Sequence, residues 1–285
     1  MEVKKVGVVG CGLMGRGIAE ISAKAGFDVI VSEINQGLLD KGIAAIDTSL
    51  SRAVKAGKAT EEDKAAILGR IKGTTNMEDF KDRDLVIEAA VENLELKKKI
   101  FADLDRICPK EAILATNTSC LSVIDIAAMT KKQDKVLGMH FFNPVPVMKL
   151  LELVKTISTS EETLATAKAF GEKTGKTVVT ATDTPGFIVN RLLLPFLIEA
   201  VKLYEQGIAT REDIDTAIKL GLNHPMGPLT LGDFVGLDTC CFICDAMYEE
   251  FKESRFAPPV LLKKMVTAGL HGVKTGKGFY DHSQA

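Results

Sequence analysis

The chain predicts an α/β architecture, a parallel sheet wrapped by helices, followed by an all-α region. Three observations carry that prediction. Over the first 155 residues short β-rich runs alternate with amphipathic helical stretches, the pattern of a sheet covered on both faces. Beyond residue 185 only helical periodicity remains. Between the two lies Asp183-Thr184-Pro185-Gly186, a strong turn signal. A length of 285 residues suits about two domains, with the expected boundary placing them at 1–185 and 186–285.

The elements follow in order. Residues 6–9 read as a strand and 13–25 as the helix after it; 28–34 and 36–56 repeat the unit. Thr60 followed by Glu61, Glu62 and Asp63 marks a helix start, a capping hydroxyl with acids in the first turn. Residues 84–90 are apolar on both faces, as a buried parallel strand should be. A helix over 94–107, strands over 112–116 and 136–142, a helix over 161–174 and a strand over 177–182 complete the first region. Helices are expected over 187–206, 212–220, 229–235, 238–251 and 260–268.

Composition excludes several classes of function. With 46% hydrophobic and 26% charged residues, most of the chain has the material for a core. Against 38 acidic residues stand 36 basic ones, so no global field draws nucleic acid or an anionic membrane. The most apolar stretch, 187–204, is broken by Asn190, Arg191, Pro195, Glu199 and Lys202, unlike a membrane span. Six cysteines are too few for a disulfide scaffold. No apolar signal region follows Met1, and the expectation is a cytoplasmic protein.

Gly10-Cys11-Gly12-Leu13-Met14-Gly15 fits GxGxxG between the first strand and the first helix. Gly10 permits the tight turn, Gly12 a close approach of pyrophosphate, and Gly15 close packing of helix on strand. The N-terminus of the helix, at Leu13 and Met14, supplies amide donors. Glu33 closes the second strand, 21 residues after Gly12. Its carboxylate would accept hydrogen bonds from ribose hydroxyls and repel a 2′-phosphate. The fold class is therefore a Rossmann-type dinucleotide-binding domain followed by an all-α C-terminal domain, and the expected cofactor is NAD.

An unperturbed imidazole titrates near neutrality, about 6.5, and this residue type makes His140 suited to acid–base work. Glu152 lies 12 residues on, across a proline-containing turn between two apolar runs. A hairpin-like return would set the two side by side, the carboxylate fixing the imidazole tautomer. Ser119 follows a strand, where ligands of open sheets gather, and would otherwise cap the next helix.

Four segments extend the pattern: Ala115-Thr116-Asn117-Thr118-Ser119, Met139-His140-Phe141-Phe142-Asn143-Pro144 through Glu152, Asp183-Thr184-Pro185-Gly186-Phe187-Ile188-Val189-Asn190-Arg191, and Lys274-Thr275-Gly276-Lys277-Gly278-Phe279-Tyr280. With the glycine loop, His224-Pro225-Met226-Gly227-Pro228 and Gly236-Leu237-Asp238, they closely resemble the short-chain L-3-hydroxyacyl-CoA dehydrogenases, the bacterial 3-hydroxybutyryl-CoA branch in particular. The resemblance runs the whole chain. It implies that His140 and Glu152 form the catalytic pair, that Ser119 binds the substrate's 3-oxygen and that Asn190 assists. It implies further cofactor contacts at Glu92, Lys97, Asn143 and Lys277. For coenzyme A it points to Ser49, Arg52 and Lys55, although Ala56 stands where relatives carry a basic residue. A helical homodimer, or a higher assembly of dimers, is implied for 186–285.

Two departures and two alternatives complete the reading. Cys120 replaces a serine of many relatives, and a thiol beside the site suggests sensitivity to alkylation. Cys241-Phe242-Ile243-Cys244 fits CxxC without a second ligand pair, so buried thiols rather than a metal are expected; Lys97-Lys98-Lys99 reads equally as a solvated helix face. A sugar-acid dehydrogenase of the related crystallin branch would keep the chemistry and change the substrate. A protein that binds NAD without turnover would have no need of His140, Glu152, Ser119 and Asn190 together.

Overall fold

The computed structural model describes residues 1–283. The chain divides into two compact units, Met1–Asp183 and Thr184–Ala285. In the first, eight strands form one sheet: β1 (Lys5–Val9), β2 (Asp28–Ser32), β3 (Ile71–Thr74), β4 (Leu85–Glu88), β5 (Ile113–Thr116), β6 (Val136–Phe141), β7 (Leu150–Lys155) and β8 (Thr177–Thr182). Their order is β3-β2-β1-β4-β5-β6-β7-β8, and the first six follow the doubly wound order of dinucleotide-binding sheets. Every neighbouring pair is parallel except β6 and β7.

Strand alternation feeds two apolar layers. Val6, Val8, Val29, Val31, Leu85, Ile87, Ile113 and Ala115 enter one, with Ile18 of helix α1 (Leu13–Lys24) and Ile46 of α2 (Gln36–Lys55). Val86, Leu114 and Val136 enter the other, with Phe101 and Leu104 of α4 (Leu94–Ile107) and Ile126 of α5 (Val123–Ala127). Central strands apolar on both faces therefore sit between helices on both sides. The remaining helices of this unit are α3 (Glu61–Leu68) and α6 (Glu161–Lys173). Thr60 and Asp63 close a reciprocal capping box on α3.

The structure departs from expectation at three places. Strand β3 carries only Ile-Lys-Gly-Thr at the sheet edge, half exposed, too short and mixed to show a period. Helix α5 has five residues, little more than one turn, and is held by Asp183, whose two carboxylate oxygens accept the N–H groups of Val123 and Ile124. Strand β2 stops at Ser32 rather than 34; Glu33 still gives its N–H to the Thr74 carbonyl at 3.1 Å, while its side chain reaches the glycine loop.

The second unit contains α7 (Val189–Glu205), α8 (Arg211–Gly221), α9 (Pro228–Val235), α10 (Leu237–Phe251) and α11 (Val260–Thr267). Val201, Ile214, Leu229, Leu237, Leu262 and Phe279 form its core. Two buried carboxylates organise it. Asp215 accepts the Leu229 and Thr230 N–H groups and so caps α9. Asp233 accepts the Phe279 and Tyr280 N–H groups and fastens the tail that carries Lys277. Among the described residues no helix is long and apolar enough to cross a membrane.

Candidate active site

The glycine loop follows β1, where the strand order reverses between β1 and β4. Gly10 has φ +94° and its Cα faces the Ala89 carbonyl oxygen, which a side chain would meet at 2.8 Å. A methyl on Gly15 would overlap the Gly10 carbonyl oxygen. At Gly12, by contrast, a side chain would enter open space. The other α-helices of this unit are capped by side chains of Asn35, Thr60, Asn93, Ser122 and Ser160. Helix α1 has neither a side-chain cap nor an acid in its first turn. Its amides at Leu13 and Met14 are thus left to an anion, so the loop fits a dinucleotide pyrophosphate. Glu33 stands over the same loop, one oxygen accepting the Cys11 N–H and the other the Ile34 N–H, each at 2.9 Å.

At the other end of the sheet the antiparallel pair β6 and β7 sets His140 directly opposite Glu152. Met139 and Phe141 point into the first apolar layer, so period two sends His140 to the opposite face. His140 Nδ1 lies 2.6 Å from Glu152 Oε2, and both residues are buried. Phe142 leans on the imidazole with ring centroids 4.5 Å apart. The intervening loop, which carries an exposed Asn143, is held from outside. Buried Lys176 donates to the carbonyls of Val145 and Met148, at 2.5 and 2.7 Å, and Val145 packs on Gly17 of α1.

Between the two ends, beyond β4 and β5, lies a buried polar cluster. Glu88 and Lys97 are both fully buried and paired at 2.7 Å. Glu92 Oε2 lies 3.5 Å from the same ammonium. Glu92 Oε1 accepts the Thr118 hydroxyl at 2.6 Å and the Ser119 N–H at 2.8 Å. The cap of α5 is Ser122, not Ser119, so the capping role is filled by another residue.

Models of two domains of one family match the chain: the NAD-binding domain of 3-hydroxyacyl-CoA dehydrogenase over residues 5–184, and its C-terminal domain over 186–282. A 3-hydroxybutyryl-CoA dehydrogenase of Mycobacterium tuberculosis is 50% identical over 98% of this chain and 99% of its own length. One from Clostridioides difficile is 47% identical over 98% and 100%. The crystal structure of the (S)-3-hydroxybutyryl-CoA dehydrogenase from Ralstonia eutropha superposes with a TM-score of 0.96 at 45% identity, covering 99% of this chain and all of that one. The chain belongs to the 3-hydroxyacyl-CoA dehydrogenase family. Its first unit is an NAD-binding domain of the Rossmann type and its second is helical.

Against that family background several side chains differ from their sequence reading. Lys97 is not on a solvated face: its ammonium is enclosed by Glu88 and Glu92 while Lys99 stays exposed. Cys120, read as a thiol open to alkylation, is buried, and burial, helped by the Glu92 charge, pushes its thiol up to about 12. Ser49 gives its hydroxyl to Glu20 across the α1–α2 contact at 3.1 Å, whereas Arg52 and Lys55 are exposed at the end of α2. Cys240 and Cys244, by contrast, are buried in α10 as expected, and burial raises both thiols, Cys240 to about 12. In the second unit Asn190 is a buried residue of α7, and Lys277 is exposed, 3.8 Å from Asp281.

Two dehydrogenase residues escaped the sequence reading. In the sequence Glu88 reads only as part of an apolar strand. Asn117, inside a recognised segment, accepts the Phe141 N–H at 2.9 Å with its side-chain oxygen and continues the β5–β6 ladder beside His140. A lone acid inside the apolar stretch 85–90 was the available signal for Glu88, since an isolated carboxylate there needs a buried partner.

Proposed function

We propose that the chain interconverts (S)-3-hydroxybutyryl-CoA and acetoacetyl-CoA with NAD, and acts on other short-chain 3-hydroxyacyl-CoA substrates. The observation that carries this reading is the buried His140–Glu152 pair, 2.6 Å apart, on the same sheet as the glycine loop. NAD, when bound, supplies the hydride acceptor and its reduced form the donor. Gly10, Gly12, Leu13, Met14 and Gly15 would hold its pyrophosphate and Glu33 its adenosine ribose, with Glu92, Asn143 and Lys277 toward the nicotinamide half and the enclosed Lys97 acting on it through Glu92.

In the oxidising direction His140 Nε2 takes the proton of the substrate's 3-hydroxyl; in the reducing direction it returns it. Glu152 keeps the proton of the neutral imidazole on Nδ1 and stabilises the imidazolium once formed. The Ser119 hydroxyl donates to the 3-oxygen, where negative charge develops on reduction. Asn190 supports the acyl group. Ser49, Arg52 and Lys55 are assigned to coenzyme A, the two cations on electrostatic grounds.

The substrate class follows from the relatives of the same name that match end to end. The six free cysteines suit a reducing compartment, and we place the enzyme in the cytoplasm. The helical second unit leaves Leu192, Leu203, Phe234, Phe242 and Tyr248 exposed, and we assign such surface to a homodimer.

The test is NADH consumption at 340 nm with acetoacetyl-CoA, repeated with NADPH and with a 3-oxo sugar acid. Turnover with NADH and acetoacetyl-CoA, with NADPH far slower, is expected. Turnover confined to the sugar acid would move the chain to the crystallin branch, and none with any substrate would leave it an NAD-binding protein.

A further inference from the structure

We infer that Glu88 is a positioning residue for the reaction proposed above, acting through Lys97 and Glu92 on Ser119. The inference rests on the dehydrogenase reading and adds a residue to it. Glu88 is fixed on both oxygens: Oε1 accepts the Ala90 N–H and the Lys97 ammonium, both at 2.7 Å, and Oε2 accepts the Thr116 hydroxyl at 2.7 Å. It is anchored to β4 and β5 and has no freedom to follow Lys97. The ammonium is therefore held 3.5 Å from Glu92 Oε2 rather than drawn fully onto it.

The consequence lies at the far end of Glu92. Its Oε1 accepts both the Thr118 hydroxyl and the Ser119 N–H. Those two bonds set the backbone that presents the Ser119 hydroxyl. Stability alone gives little reason for burying such a pair, because apolar residues of similar volume generally serve as well. Two carboxylates sharing one ammonium behind a catalytic loop do have a positional use. Neutralising Glu88 would leave Lys97 with Glu92 as its sole carboxylate partner, and the stronger attraction would pull Glu92 away from Ser119. Small displacements of a reacting group are costly, about 100-fold for 1 Å.

The test is a double-mutant cycle of Glu88→Gln with Ser119→Ala, read by kcat/KM for acetoacetyl-CoA at saturating NADH. Glu88→Gln is expected to lower kcat/KM about thirtyfold in the native background and less than about threefold when Ser119 is already alanine. The NADH dissociation constant, measured by calorimetry, is expected to rise about fivefold, since Glu92 is displaced in both backgrounds. Should Glu88→Gln fold poorly, Glu88→Asp, which keeps the charge but shortens the reach to Lys97 and Thr116, enters the same cycle. Equal losses in the two backgrounds, or unchanged kcat/KM in the native one, would overturn the inference while leaving the dehydrogenase reading intact. Absence of turnover by the unaltered enzyme would overturn both.

Discussion

An imidazole beside a carboxylate has one tautomer and one orientation, and that restriction is what the buried His140–Glu152 contact of 2.6 Å provides. The pair was legible in the sequence because strand pairing follows simple rules: two apolar runs joined by a proline-containing turn return antiparallel. A separation of 12 then brings the two residues opposite each other. Glu88 was legible only as a carboxylate in need of a buried partner, since nothing local to residues 84–90 names that partner. The burial of Cys120 is equally invisible to its local sequence. With its thiol pushed up to about 12, Cys120 carries almost no thiolate at pH 8. Iodoacetamide at pH 8 is accordingly expected to leave activity intact and to label the half-buried Cys241 before Cys120, as read by peptide mass and residual turnover. Rapid inactivation with label on Cys120 would contradict that assignment.

Among the elements, the β6–β7 hairpin matters most, because a slip of one residue would send Glu152 to the opposite face of the sheet. Its register is secured from outside the hairpin. Asn117 extends the ladder at Phe141, and Lys176 ties the carbonyls of Val145 and Met148. Lys176→Met removes both bonds and is expected to lower stability by about 2 kcal/mol and kcat/KM about tenfold, measured by urea unfolding and by NADH consumption. Full retention of both would show that the loop holds itself. Long strands and helices of this unit could be read from period and caps, as the Thr60 box illustrates. Edge strand β3 and the single turn of α5 could not, because their places are set by β2 and by Asp183 rather than by their own residues.

For the molecule as a whole, the formal charge of −2 means that NAD and an acyl-CoA, both polyanions, must be captured by local groups. In the first unit the uncapped N-terminus of α1 is the group proposed for the pyrophosphate. The two-part division was legible from the change of period near residue 185, and the units separate at Asp183 and Thr184. How chains assemble was not, because exposed apolar residues name no partner. The dimer proposed for the helical unit predicts a solution mass about twice the 30.7 kDa of one chain, or a multiple of that, by light scattering; a mass of one chain would reject it. The central claim is that His140 moves the proton in an NAD-dependent reduction. It is tested most directly by kcat/KM for acetoacetyl-CoA in His140→Gln, with the NADH dissociation constant measured alongside. The account predicts a fall of about 10³-fold with NADH binding unchanged within about twofold. Near-native turnover by His140→Gln would contradict it.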